Sequence, residues 1–365
     1  MRRWWLPVLA VAGLFGYVVT HRDPIQRPDP PAAAGPGAEP GLPRLTGADT
    51  MGPPGLKVLV SGRYPQIIDT SSGHSGPVPG LLLGPGERAA LQSVPAGTVA
   101  AIAGPRTTSI RTVLLRPTSG PPIPLGVDVT VVPARTGSDL LVATRNSGST
   151  SVAVTAADGK VRRRWTAGGT LTPLRDTAAG LVAAQVGDLQ GAQLRLLDPA
   201  TGAERRRLAV ARIAVAVGPA AVAHVSSTCA RDCPVTVTRL SDGVSRDYPM
   251  PAGTGNPARG AFSPDGRWLA LGVPGQYRNG RLVVVPGFAE VLDLAAGTVT
   301  TVPGVQTEAE RSADVSWFGP TLVLGVWSSS GGQVGTWTPS RPADGLRVLP
   351  ADPPGDEALS TVTVL

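Results

Sequence analysis

The residues that could do chemistry are few and far apart. The chain has three histidines, His21, His74 and His224, and none lies in a cluster with metal-ligand spacing, so no metal site is expected. His224 sits in the apolar stretch AAVAHVS, where a hydrogen-bonded structural histidine is the expected role. Gly73-His74-Ser75-Gly76 sets a histidine beside a serine, but it is not the G-x-S-x-G nucleophile elbow and no α/β-hydrolase pattern surrounds it. It reads as turn chemistry. Glycoside chemistry needs two carboxylates projecting into one cleft, whereas Asp69, Asp158, Asp198, Asp242, Asp265 and Asp344 mostly stand within a few residues of a glycine, as turn formers do. The two cysteines, Cys229 and Cys233, bracket Ala230-Arg231-Asp232 at the tip of an apparent hairpin and are near enough to form a disulfide in an exported chain. No pattern commits the chain to catalysis, and none implies a cofactor.

The elements that would position these residues are short strands. The 46 glycines and 38 prolines punctuate β-branched runs and leave little room for long helices. Glycine-bearing hairpin turns recur at Gly73, Gly120, Gly159, Gly202, Gly243, Gly297 and Gly345, about 45 residues apart on average. Four-stranded propeller blades repeat at about 40–45 residues, so the spacing predicts an all-β, seven-bladed β-propeller over residues 56–365. GLVAAQV (180–186) and AQLRLLD (192–198) precede the Gly202 turn and AERRRLAV (203–210) follows it. Around Gly159 the same order is DLLVATR, TSVAVTA and KVRRRWT. The first turn has only LKVLVS (56–61) and PQIID (65–69) before it. The closing stretch Leu359 to Leu365 alternates β-formers and is expected to enter the first blade as its innermost strand, beside LKVLVS.

Ser263-Pro264-Asp265-Gly266 is a turn between strands, and the run from Trp268 to Val273 that follows is apolar at both alternating positions, as in a strand buried on both sides. The stretch Phe262-Ser263-Pro264-Asp265-Gly266-Arg267-Trp268-Leu269-Ala270 resembles the signature of the TolB-type, WD-repeat-like β-propeller family. The resemblance implies a turn between the first and second strands of a blade, and it brings no catalytic residue. Thr155-Ala156-Ala157-Asp158-Gly159-Lys160 through Trp165 resembles the repeat of eight-bladed quinoprotein propellers. That family commonly stacks adjacent cysteines on its quinone, and Cys229 and Cys233 are not adjacent.

The N-terminus reads as an address. Arg2 and Arg3 precede Trp4 to Thr20, a run with no formal charge, which suits a signal-anchor helix over residues 1–22 or a cleaved signal peptide. The anchor places the N-terminus inside and the propeller outside the cell membrane; cleavage would make the protein secreted. Residues 23–55 are rich in proline and poor in β-branched residues and are expected to form a disordered linker. The net charge of +7 is carried by scattered arginines without the aromatic interleaving of a nucleic-acid face.

Binding is the remaining function. Loops between second and third strands share a face with those leading to the next blade. On that face fall the Cys229–Cys233 loop, an insertion with Tyr277, Arg278 and Asn279, and the turn at Trp327. Aromatic and arginine side chains dominate interface energetics. The expected function is a non-catalytic protein-binding or scaffolding module of the cell envelope, with another envelope or secreted protein as partner. The alternative is a propeller-type enzyme, a quinoprotein-like dehydrogenase or a glycan-acting hydrolase or lyase.

Overall fold

The computed structural model describes residues 44–365 apart from the stretches 106–108, 117–119, 187–190, 230–232, 251–255, 279–282, 309–310, 329–330 and 350–360; before residue 44 it describes only 9–11 and 16–18. The chain is all-β, a succession of mainly antiparallel sheets in which most strands pair with their neighbours in sequence. The second sheet holds Arg88–Val94, Gly97–Ala103, Ile110–Leu115 and Ile123–Val127; the third holds Val129–Pro133, Leu140–Asn146, Ser149–Thr155 and Val161–Gly168. A seven-stranded sheet follows, from Leu171–Thr177 to Ser245–Tyr248. Its middle strand, Glu204–Val217, is 14 residues long. The first part of this strand closes one four-stranded unit against Ala192–Leu197, and the second part opens the next against Ala221–Ser226. The penultimate sheet is Arg259–Phe262, Trp268–Val273, Phe288–Asp293 and Thr298–Thr301, and the last is Asp314–Phe318, Thr321–Ser328, Gly331–Trp337 and Arg347–Val348.

The first sheet is completed from the C-terminus, as its alternating sequence led us to expect. Val362–Val364 lies antiparallel to Lys57–Val60, which pairs with Gln66–Asp69 and then His74–Pro77. Apolar residues fill the seams between successive sheets, and one cluster joins Val323, Trp327 and Val334 of the last sheet to Val58, Val60 and Ile68 of the first. Burial on both faces is what forces the near-continuous apolar runs in these strands. Leu269 to Val273, at most 0 % exposed at each large residue, is such a strand.

The glycine turns all connect the third strand of a unit to its fourth. At Gly73, Gly159, Gly202, Gly243, Gly297 and Gly345 the backbone takes a positive φ, which glycine adopts without Cβ strain. Acidic side chains brace the same turns: Asp198 Oδ1 accepts from the Ala200 and Thr201 amides at 2.8 and 3.0 Å, and Asp69, Asp158 and Asp242 accept in the same way. Ser263-Pro264-Asp265-Gly266 joins the first strand of its sheet to the second. The buried Ser263 hydroxyl accepts from the Trp268 amide at 2.9 Å and donates to Asp265 at 2.5 Å.

A second reason for glycine lies between sheets. Trp165, on the outer strand of the third sheet, covers Gly202 of the next unit and donates its indole N–H to Pro199 O at 3.1 Å. Ile123 lies over Gly159, and Arg206 over Gly243. Arg246 lies over Gly297, and Tyr248 beside it donates to Leu294 O at 3.0 Å. At these four turns an outer-strand side chain of one unit caps the turn of the next.

The linker boundary at 55 needs correction. Arg44–Leu45 pairs with Val305–Gln306, and Ala48–Asp49 runs parallel to Arg347–Val348 as a fifth strand of the last sheet. Leu45, in a stretch rich in proline and glycine, is 4 % exposed in the penultimate seam, which is enough to pin the segment. Residues 23–43 lie outside the described residues. Of the expected anchor helix, the structure describes Leu9–Val11 and Gly16–Val18, which pair antiparallel; among the described residues no helix is long and apolar enough to cross a membrane.

Candidate interaction face

Because strands alternate in direction, turns from first to second and third to fourth strands emerge on one face, with the braced glycine turns. Connections from second to third strands, and from each unit to the next, emerge on the opposite face. That opposite face carries the longer loops and most of the exposed large apolar residues. Tyr64, 58 % exposed, lies between the second and third strands of the first sheet, beside Arg63, whose guanidinium is 5.9 Å from the ring centroid. Leu82, 86 % exposed, lies on the way to the second sheet. Ile110 and Val127 end their strands there, and Val186 does so in the seven-stranded sheet. The composition read residue by residue had missed these, because exposure of Tyr64 and Leu82 follows from topology and not from a local motif.

The same face holds the cysteine loop. Cys229 and Cys233 are disulfide-bonded, with Cα atoms 5.6 Å apart, between Ala221–Ser226 and Val235–Arg239. Cys233 is buried in the seam with the penultimate sheet, so the bond ties the loop to the core.

The insertion forms a hairpin of its own. Gln276–Arg278 pairs with Val283–Val285, placing Tyr277 opposite Val284, and the two strands make a separate two-stranded sheet. Asn279 lies outside the described residues. The hairpin leaves the penultimate sheet through Pro274-Gly275 and returns through Pro286-Gly287. Gly275 N donates to Arg311 O at 3.0 Å, while Gly287 and Thr307 exchange backbone bonds of 3.1 and 3.0 Å. A Cβ at Gly287 would overlap Thr307 Oγ1 and the Gly275 amide, so glycine is required for this close approach. The base of the arm is therefore fixed to the loop around 307–311.

Trp327, expected on this face, is inside. It is 7 % exposed, packs in the seam between last and first sheets and donates its indole N–H to Asp314 at 2.8 Å. Its neighbours Leu322 to Val326 are buried on both faces, and the tryptophan continues that run. It serves as core and not as contact surface.

The other chemistry-bearing residues are accounted for locally. His224 is buried, Nε2 lies 3.1 Å from Thr238 Oγ1, and burial holds its pKa below the usual histidine value. His74 and Ser75 are exposed at the start of an outer strand, and His21 lies outside the described residues. On the innermost strands, Asp314 pairs with Arg259 as well as with Trp327, and Asp176 accepts from the Arg135 amide at 2.9 Å. Among the described residues no group of histidine, cysteine and carboxylate side chains could hold a metal. One acid was overlooked. Glu290 is 0 % exposed and neither carboxylate oxygen has a hydrogen-bond partner. The visible signal was a lone acid in Phe288-Ala289-Glu290-Val291-Leu292, apolar at every other position.

No family model and no curated protein matches the chain. Solved structures do. A structure described as an analysis of two prolyl endopeptidases superposes with a TM-score of 0.54 at 12% identity, over 83% of this chain and 47% of that one. Hydrazine synthase of Kuenenia stuttgartiensis gives 0.50 at 14%, over 75% and 94%. TolB from Acinetobacter baumannii gives 0.47 at 14%, over 86% and 67%. The chain spans about half the length of the prolyl endopeptidase. These likenesses are of fold alone: the chain is β-propeller-like, and its neighbours of that shape include TolB proteins and enzymes alike.

Proposed function

We propose that this protein is a seven-bladed β-propeller, the seven-stranded sheet furnishing two blades, that binds another envelope or secreted protein through its long-loop face. In this reading residues 1–22 anchor it in the cell membrane and residues 23–43 hold the body away from the bilayer on the outside. The observation that carries the binding role is the sorting of exposed apolar side chains. Tyr64, Leu82, Ile110 and Val127 share one face with the disulfide-shaped loop and the pinned hairpin, and exposed apolar groups gathered in this way mark interaction sites. What supports binding over the enzymatic alternative is that Asp314 and Asp176, the acids of the described innermost strands, are committed to Arg259, Trp327 and a backbone amide.

The test is photo-crosslinking of the full-length protein in its native membranes, with the photoreactive residue placed at Tyr64, Leu82 or, on the opposite face, Val244. The reading expects one discrete protein adduct from Tyr64 and Leu82 and none from Val244. Equal labelling from both faces, or no adduct from either, overturns it.

A further inference from the structure

Among the described residues, nothing answers a charge on the buried carboxyl of Glu290. Along Phe288–Asp293, side chains alternate between the two faces of the sheet. Ala289 and Val291 pack toward the last sheet, while Phe288 and Leu292 pack toward the seven-stranded sheet. Glu290 shares the second orientation. It stands opposite Leu271 on one neighbouring strand and Thr301 on the other. Across the seam come Val225, Val235, Tyr248, Met250 and the disulfide-bonded Cys233. Both Glu290 oxygens are buried without a partner.

Among the described residues, the titratable groups around this seam are engaged elsewhere. At its glycine-turn end, Tyr248 donates to Leu294 O, and Arg246 stacks over the Tyr248 ring at 5.1 Å and reaches the same carbonyl. Arg239 pairs with Asp242. His224 alternates with Ala223 and Val225, so it turns to the opposite face, where it meets Thr238. On the penultimate sheet, Asp293 pairs with Arg267, and Arg259 pairs with Asp314 of the last sheet; Arg259, Asp293 and Asp314 belong to the opposite face. In the loop against the hairpin base, Glu308 pairs with Arg311 at 3.3 Å. Glu290 lies three residues beyond Gly287, at the base of the hairpin.

We propose that Glu290 is a proton-operated latch: in its neutral form it lets the start of Phe288–Asp293 close on the seven-stranded sheet, and its ionisation loosens that seam, to which Cys233 also belongs. This regulation concerns the seam that holds the disulfide-bonded cysteines of the binding face proposed above, and it rests on that reading for its purpose, though not for its physics. A carboxylate buried without partners is strongly disfavoured against the neutral acid. Burial accordingly pushes the Glu290 carboxyl up to about 7 from 4.5. When the seam opens and water reaches the group, the ordinary value returns. The closed form therefore retains a proton that the open form releases. Opening becomes easier by up to about tenfold per pH unit between about 4.5 and about 7, and levels off above.

Hydrogen–deuterium exchange of the full-length chain tests this, read on peptides spanning 283–293 and corrected for the intrinsic pH dependence of amide exchange. The wild-type protein should lose protection there at least about tenfold from pH 5 to pH 7, with about twofold or less further loss to pH 8. Glu290→Gln and Glu290→Leu should both remove the slope, the leucine variant serving where a buried amide impairs folding. A flat wild-type profile, or a slope that survives in either folded variant, overturns the latch. Because no partner is present, failure of the crosslinking experiment leaves this result standing, and a flat profile with intact crosslinking sinks the latch alone.

Discussion

Val362 stands opposite Val60 across an antiparallel pair, so the last strand of the chain and one of the first belong to the same sheet. Leu365 N donates to Lys57 O at 2.9 Å and Ser61 N to Thr361 O at 3.0 Å, bracketing the pairing. Thr363 is buried and Val364 packs on the seam that joins the last sheet to the first. Without this strand, Lys57–Val60 would present an open inner edge, and propellers protect such edges. Deleting residues 358–365 should lower the calorimetric Tm by roughly 5 °C or more, since a chain of this size shifts by a few degrees or less per kcal/mol. An unchanged Tm would show that the tail contributes nothing to closure.

The other end of the body is held by a strap. Leu45 N donates to Gln333 Oε1 at 2.7 Å, Thr46 N to Gly304 O at 2.7 Å and Ala48 N to Leu346 O at 3.1 Å; further on, Gly52 N reaches Thr70 O of the first sheet at 2.8 Å. The segment thus crosses from the penultimate and last sheets to the first. Leu45→Ala should cost about 2–5 kcal/mol, the usual range for a buried leucine, whereas removing residues 1–43 should leave the Tm within roughly 1 °C. If chemical denaturation gives Leu45→Ala a loss below about 1 kcal/mol, the strap is ornamental and the linker reaches 55 in energetic terms.

Much of this fold was legible because turn chemistry is local. Gly202 and Asp198 announce a hairpin whatever surrounds them, and their spacing from the next such turn carries the repeat. Val362 to Val364 could be assigned because an alternating tail had no other employment. The candidate face was harder. Trp327 was placed on a loop because Ser328, Ser329 and Ser330 follow it, but burial is decided by the sheet opposite, which no local pattern records. Leu45 was hidden for the same reason: an apolar residue of a proline-rich stretch, it gains its seat from Val302 and Trp337, far along the chain. Tyr64 and Leu82 became meaningful only once strand direction put them on one face.

Trp165 over Gly202 gives the sharpest test of how neighbouring units lock. A Cβ at Gly202 would run into the Trp165 ring, and φ there is 74°. Two penalties are therefore combined in Gly202→Ala: backbone strain of about 1 kcal/mol for a non-glycine residue in that region, and displacement of a packed indole, typically 1–3 kcal/mol for an overfilled site. Removing the ring first separates them. Trp165→Ala should itself cost about 3 kcal/mol or more, but Gly202→Ala added to it should cost only the strain. A double-mutant cycle by urea unfolding should then show a coupling of about 1 kcal/mol or more between two residues on different units. Strict additivity would mean that the ring and the turn do not share an energetic contact, and that glycine is needed at 202 for its φ alone.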